Sequence, residues 1–121
     1  DDTMNDNSEY STDPKDNDTD KLTQEGMTYP SKTHTDTGIM TFIICAEVPG
    51  LQVWDTLNDE WLEVEKICNP KSDLFVIAGR KLPLFYQKGA QESPFKATRH
   101  RVALPLNTGR TSLLYFLDVK G

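Results

Sequence analysis

The sequence has few cysteines, no long apolar run and no long helical periodicity, and each of these absences excludes a class of protein. Its 121 residues include only two cysteines. That is too few for a disulfide framework, so we expect free thiols at Cys45 and Cys68. No apolar run is long enough to span a bilayer, and no secretion-signal pattern is present, so the expected location is cytoplasmic and reducing. Long 3.6-residue periodicity is also lacking, which argues against a helical domain.

Acidic residues are concentrated at the beginning of the chain. Residues 1–26 carry nine acids and two lysines, whereas residues 27–121 carry ten acids and eleven bases. The second part is nearly neutral and shows no electrostatic site for nucleic acid or an anionic membrane. The first part has only Met4, Tyr10 and Leu22 to bury. We therefore predict a disordered acidic leader or insertion over 1–26 and one domain over 27–121.

Short apolar runs separated by turn residues fill the predicted domain. Strands are predicted at 39–45, 51–54, 61–64, 74–78, from 95 through His100, and 110–119. Residues 80–95 contain two prolines and a glycine and are predicted to be irregular. The pattern indicates an all-β domain of about seven short strands. By itself it allows a sandwich, a barrel or a jelly roll.

The stretch from Thr33 to Gly38 is where a functional site is first indicated. His34 and Asp36 are two residues apart, so both side chains point to one face of an extended segment. The second histidine of the chain, His100, comes much later. Two histidines and one carboxylate form the ligand set that holds non-haem Fe(II) and leaves other coordination positions open. Taken singly, His34 would more often be a solvated turn residue and His100 an ordinary strand histidine.

A second polar pair stands ten residues after His100. Arg110 and Ser112 alternate onto one face of a predicted strand, and Leu114 and Phe116 continue that face inward. The planar donor fork of arginine matches a carboxylate, so this pair suits the far carboxylate of a small diacid. In a hairpin, Arg110 would lie about 10 Å deeper along the strands than His100. The alternative is a surface arginine that only begins a strand.

An ordered series of short motifs runs through the predicted domain: His34-Thr35-Asp36-Thr37-Gly38, Gly50-Leu51-Gln52-Val53, Trp61 within residues 59–64, the apolar run 73–79, His100-Arg101-Val102 and Arg110-Thr111-Ser112. From Tyr29 onward, the chain resembles the plant-type and isopenicillin N synthase-like branch of the 2-oxoglutarate/Fe(II)-dependent dioxygenases. The resemblance implies a double-stranded β-helix, which is a jelly roll whose mouth holds the metal. Because the family has a helical N-terminal region and earlier strands that this sequence lacks, we expect the jelly roll to be incomplete.

The resemblance also implies a chemistry. Fe(II) would be bound by His34, Asp36 and His100, and the far carboxylate of the co-substrate 2-oxoglutarate by Arg110 and Ser112. The implied reaction uses O₂ and couples decarboxylation of 2-oxoglutarate to hydroxylation or desaturation of a small organic substrate. The sequence does not identify that substrate or an oligomeric state.

Tyr29-Pro30 is similar to a family motif whose tyrosine contacts the co-substrate. Here only three residues separate Pro30 from His34, whereas the family usually has many more. Tyr29 is therefore either a co-substrate contact or a strand aromatic. In addition, Arg80 occupies a position where the family often has an acid.

The spacing of the two histidines also departs from the family. It is several residues longer than the norm, and we place the insertion in a loop between residues 81 and 94. Two alternatives remain for the function. One is an oxidase of the same fold that does not use 2-oxoglutarate, and the other is a non-catalytic β-helix scaffold with relic ligands.

Overall fold

The computed structural model describes residues 26–86 and 93–120. Apart from Gly26, the predicted acidic leader lies outside the described residues, so its disorder stays a prediction. Within these two ranges, no helix combines the length and the apolar character needed to cross a membrane.

Seven strands, one short α-helix and one 3-10 turn form the regular structure of the described residues. In chain order they are β1 (Met27–His34), β2 (Met40–Ile44), β3 (Leu51–Asp55), β4 (Glu60–Glu63), η1 (Val64–Lys66), β5 (Leu74–Ala78), α1 (Leu82–Tyr86), β6 (His100–Pro105) and β7 (Leu113–Leu117). The predicted all-β class is confirmed.

The strands form two antiparallel sheets, ordered β1-β6-β3-β4 and β5-β2-β7. The chain crosses repeatedly from one sheet to the other, so strands that are far apart in sequence become neighbours. For example, β6 lies between β1 and β3, and β7 pairs with β2. This is the jelly-roll arrangement that the resemblance implied.

The core lies between the inner faces of the two sheets. Ile43 and Ile77 come from the three-stranded sheet, and Leu51 and Val53 from the four-stranded one. All four are at most 7 % exposed. A fully buried side chain of this kind contributes about 1.5–3 kcal/mol of hydrophobic stabilisation. Because Val53 is the cross-strand partner of His100, the same inner face carries His100 at one end of the core.

Strand β7 lies at one edge of the three-stranded sheet and buries little. Leu113, Tyr115 and Phe116 are 65 %, 64 % and 60 % exposed. The inward orientation predicted for Leu114 and Phe116 is therefore wrong, because they are 42 % and 60 % exposed.

The prediction of free thiols is wrong, because Cys45 and Cys68 form a disulfide. Cys45 directly follows β2, and Cys68 is brought back toward the core by η1, where its N–H donates to the carbonyl of Val64 at 3.0 Å. No local pattern indicates this contact, since the two cysteines are 23 residues apart. Since disulfides persist mainly in oxidising compartments, the cysteines no longer support the predicted cytoplasmic location.

Every predicted strand except 74–78 differs from the structure at one end or both, and three differences in the predicted pattern are the largest. The stretch predicted to be irregular contains α1, in which Pro83 occupies the first turn, where its missing N–H is tolerated. Strand pairing begins only at His100, although the strand was predicted from 95. Strand β7 begins at Leu113, although the strand was predicted from Arg110.

Candidate metal centre and co-substrate site

Three side chains converge where β1 ends and β6 begins. His34 is the last residue of β1, His100 is the first of β6, and the two are cross-strand partners. Asp36 follows in the loop that leads to β2. One donor atom from each residue lies within 4.8 Å of the other two. The structure therefore brings together all three residues that the sequence pattern indicated as iron ligands.

The spacing of these atoms fits a metal ion. Asp36 Oδ1 lies 3.5 Å from His34 Nε2 and 3.4 Å from His100 Nε2. Donors on one face of an octahedral ion with bonds of about 2.1 Å would lie about 3.0 Å apart. The two distances from Asp36 thus exceed this spacing by about half an ångström, and all three donors lie within 4.8 Å of one another.

The other ring nitrogen of each histidine is bound to the backbone. His34 Nδ1 lies 2.6 Å from the carbonyl oxygen of Lys32, and His100 Nδ1 lies 2.9 Å from that of Thr98. A carbonyl oxygen only accepts, so each Nδ1 carries a proton. Each Nε2 faces Asp36 and donates to it when protonated. Loss of that second proton leaves Nε2 as the free ring nitrogen. This is the tautomer that a metal-binding histidine requires.

Asp36 is held as a carboxylate. The Thr41 hydroxyl donates to its Oδ2, which leaves Oδ1 directed at the histidines. Burial disfavours the charged form, but hydrogen bonds from His100, His34 and Thr41 outweigh it and hold the pKa of Asp36 well below its usual range. The same contact with Asp36 raises the pKa of His34, against the opposing effect of burial. The centre is thus ready to accept a cation.

The loop that carries Asp36 is fastened to the turn after β5. The N–H of Arg80 donates to the carbonyl of Asp36 at 2.9 Å, and that of Lys81 donates to the carbonyl of Gly38 at 2.9 Å. The two chains pass so closely that a Cβ on Gly79 would overlap the carbonyl group of Gly38. Glycine at position 79 therefore permits the approach that places Asp36.

Arg110 lies in the loop before β7, and its side chain reaches back to the start of β3. Its Cδ is close to Gly50, whose carbonyl accepts a hydrogen bond from Ala103 N–H. Position 103 is three residues along β6 from His100, or about 10 Å. The hairpin on which the predicted depth of Arg110 rested is wrong, because β6 pairs with β1 and β3, and β7 pairs with β2. The guanidinium is paired with Glu65, with Nη2 2.7 Å from Oε2. Ser112 is half-buried immediately before β7.

Tyr29 is not among the residues brought together at the metal centre. Arg101 follows His100 on β6 and so points to the opposite face of the sheet. Its Cζ lies 4.9 Å from the Tyr29 ring centre and 4.0 Å from that of Trp61. Tyr29 thus packs as a strand aromatic on an arginine, and its contact with the co-substrate stays a prediction.

Sequence reasoning missed Thr41 and Glu65. Thr41 carried a signal, since it is the only polar residue in the apolar strand β2 and is 1 % exposed. Glu65 carried none, because it stands among other charged residues in the sequence and its partner Arg110 is 45 residues away.

Comparison with known proteins identifies the family. The family model of the 2OG-Fe(II) oxygenase superfamily matches residues 6–119. The chain belongs to this superfamily. Membership confirms the resemblance to the 2-oxoglutarate/Fe(II)-dependent dioxygenases that the motifs indicated.

Two relatives of this 2OG-Fe(II) oxygenase chain can be compared directly. Clavatol oxidase claD of Penicillium crustosum is 29 % identical over 85 residues, which is 70 % of this chain and 23 % of that protein. A full-length Neurospora crassa protein, whose crystal structure is a complex with alpha-KG, is 25 % identical with a TM-score of 0.59, and the match covers 75 % of this chain and 27 % of that one. The chain thus spans about a quarter of the length of each relative.

Proposed function

We propose that the protein is an Fe(II)- and 2-oxoglutarate-dependent oxygenase that uses O₂ to hydroxylate or desaturate a small organic substrate. The observation that carries this proposal is the convergence of two imidazole Nε2 atoms and one carboxylate oxygen. Family membership and the alpha-KG bound to the Neurospora crassa relative support the choice of co-substrate.

Each residue of the centre has a distinct role in the proposal. His34 and His100 supply neutral nitrogen donors, and Asp36 supplies the negative charge that favours a divalent cation. This set leaves three coordination positions for a chelating 2-oxo acid and O₂. When bound, Fe(II) supplies the activation of O₂ that the side chains themselves do not provide.

Arg110 and Ser112 are proposed to hold the far carboxylate of 2-oxoglutarate. Arg110 lies near Gly50, which bonds to Ala103 on β6. Ala103 is about 10 Å along β6 from His100, and this span suits a five-carbon diacid placed end to end with a long side chain. The guanidinium would give charge-assisted hydrogen bonds, and the Ser112 hydroxyl would add one more.

A second candidate is the oxidase that does not use 2-oxoglutarate. One observation favours it, namely that Arg110 already has a carboxylate partner in Glu65. Succinate separates the two functions, because only the first produces it in step with substrate oxidation.

The proposal is tested by anaerobic titration of the full-length protein with Fe(II) and then 2-oxoglutarate. We expect a weak visible charge-transfer band only when both are present, and succinate after O₂ is admitted. His100→Ala should abolish the band. Fe(II) binding without the band or succinate would favour the oxidase, and no Fe(II) binding would favour the scaffold.

A further inference from the structure

The Arg110 guanidinium is held in place by two protein acceptors. Nε donates to the carbonyl of Val48 at 3.0 Å, and Nη2 donates to Glu65 Oε2 at 2.7 Å. The side chains of Arg110 and Glu65 are 7 % and 4 % exposed. Arginine has five N–H donors, and none of the described residues accepts a hydrogen bond from Nη1. One edge of the guanidinium is therefore fixed, and Arg110 also lines a cleft together with Val48, Gly109 and Thr111.

Glu65 is itself fixed by the backbone. Its Oε1 accepts hydrogen bonds from the N–H groups of Gly50 and Leu51, both at 3.0 Å. One carboxylate thus ties η1 to the start of β3 with one oxygen and to Arg110 with the other. Breaking the pair by removing one buried charge would leave the other charge without its partner.

We propose that Glu65 is a positioning residue that aims Arg110 at the far carboxylate of a 2-oxo diacid. The inference rests on the proposed function. Because Glu65 offsets the positive charge of Arg110, attraction by net charge is weak at this site. Selection between 2-oxo acids then depends on the direction of the remaining Arg110 N–H donors, which Glu65 and Val48 set together.

This role predicts selectivity between co-substrates. A 2-oxo acid with two carboxylates would gain from a correctly aimed Arg110. 2-Oxopentanoate has the same chain length but no far carboxylate, so it would gain nothing. A change at Glu65 that disturbs only the aim of Arg110 should therefore weaken 2-oxoglutarate alone.

The test uses calorimetric binding of both 2-oxo acids to the full-length protein loaded with Mn(II), a redox-inert substitute for Fe(II). Glu65→Gln keeps an oxygen for the Gly50 and Leu51 N–H groups but removes the charge facing Arg110. We expect its Kd for 2-oxoglutarate to rise about tenfold, with an unchanged Kd for 2-oxopentanoate. Glu65→Asp, which keeps the charge but is shorter, should show the same selective loss if Glu65→Gln does not fold.

Glu63→Gln is the matched control, because Glu63 is exposed and pairs with Lys66 at the surface. It should bind both acids as the parent does. Unchanged 2-oxoglutarate binding in both Glu65 variants, or equal losses for both acids, would overturn the positioning role alone. A parent protein that binds 2-oxoglutarate no better than 2-oxopentanoate would overturn the proposed co-substrate site together with it.

Discussion

At the residue scale, hydrogen bonds to neighbouring groups occupy the other polar atoms of the three candidate ligands and so orient their donor atoms. Each histidine donates a hydrogen bond from Nδ1–H to a carbonyl oxygen two residues earlier, and Asp36 accepts a hydrogen bond from Thr41 on one of its oxygens. The three remaining donor atoms face one another. Such outer contacts determine tautomer and orientation, and so they contribute to metal affinity without touching the metal.

Thr41 provides a test of this argument. Thr41→Val has nearly the same shape but removes the hydroxyl that donates to Asp36. We expect Fe(II) affinity, measured by anaerobic titration of the full-length protein, to fall about 10–100-fold. Thr56→Val, at an exposed position in the β3–β4 loop, should leave the affinity unchanged. An unchanged affinity in Thr41→Val would mean that Asp36 is oriented by other contacts.

Arg110 allows a second prediction at this scale. Arg110→Lys keeps the charge beside Glu65, but an ammonium group cannot bind Val48, Glu65 and a diacid with the geometry of a planar fork. Affinity for 2-oxoglutarate should fall by about 1–3 kcal/mol. Fe(II) affinity should hardly change, because Arg110 is not a ligand. If the variant binds 2-oxoglutarate as tightly as the parent, the anchor lies elsewhere.

The sequence indicated the ligands but not what orients them, and the reason is physical. His34 and Asp36 are close in sequence, and their types together with His100 are few enough to suggest a metal. Partners such as Glu65 and Arg110 are joined only by folding, and either residue alone is an ordinary surface charge. The role of Tyr29 could not be chosen from the sequence for a related reason. The register of β1 is irregular, and the register decides which face of the sheet Tyr29 occupies.

At the element scale, the position of Asp36 depends on the contact between its loop and the turn after β5. Three backbone hydrogen bonds join these segments: Gly79 N–H to Ile39 carbonyl at 2.8 Å, Arg80 N–H to Asp36 carbonyl at 2.9 Å and Lys81 N–H to Gly38 carbonyl at 2.9 Å. The loop therefore extends the β2–β5 pairing past the end of the strands. A change in this turn should shift Asp36 and weaken metal binding.

Gly79→Ala tests that connection. The added Cβ would overlap the carbonyl group of Gly38, so one backbone must move. We expect a loss of about 1–3 kcal/mol in the free energy of unfolding, together with weaker Fe(II) binding. Gly109→Ala is the matched control, because a Cβ there meets nothing within 4 Å. Urea unfolding and Fe(II) titration of both variants provide the measurement, and equal behaviour would contradict the close-contact argument.

Strand cores were predictable, and their ends were not. The run 74–78 was predicted with its observed bounds because it is apolar and followed by glycine. Strand β7 starts later than predicted because pairing with β2 begins at Leu113, and Arg110 is instead drawn toward Glu65. Helix α1 has five residues, too few to show a helical period in a sequence.

At the scale of the whole molecule, two small sheets enclose a core that both contribute to. Alternation identifies the buried residues Leu51 and Val53 in β3, but it fails in β7, where Leu114 and Phe116 are exposed. The number of strands predicts an all-β class. The choice of jelly roll over sandwich came from motif order, because the pairing of β6 with both β1 and β3 is invisible in local patterns. The disulfide between Cys45 and Cys68 likewise joins segments that only the fold brings together.

The disulfide leads to the last prediction. It links the end of β2 in one sheet to the turn after β4 in the other, across a separation of 23 residues. Closing a loop of this length in the unfolded chain should stabilise the folded state by about 3 kcal/mol. Reductant should therefore lower the urea midpoint of the full-length protein. A Cys45→Ala/Cys68→Ala double variant should already be destabilised and should not respond to reductant. Because η1 lies between β4 and Cys68 and carries Glu65, reduction should also weaken 2-oxoglutarate binding more than Fe(II) binding. A parent protein whose unfolding is the same with and without reductant would show that the two sheets are held together without this bond.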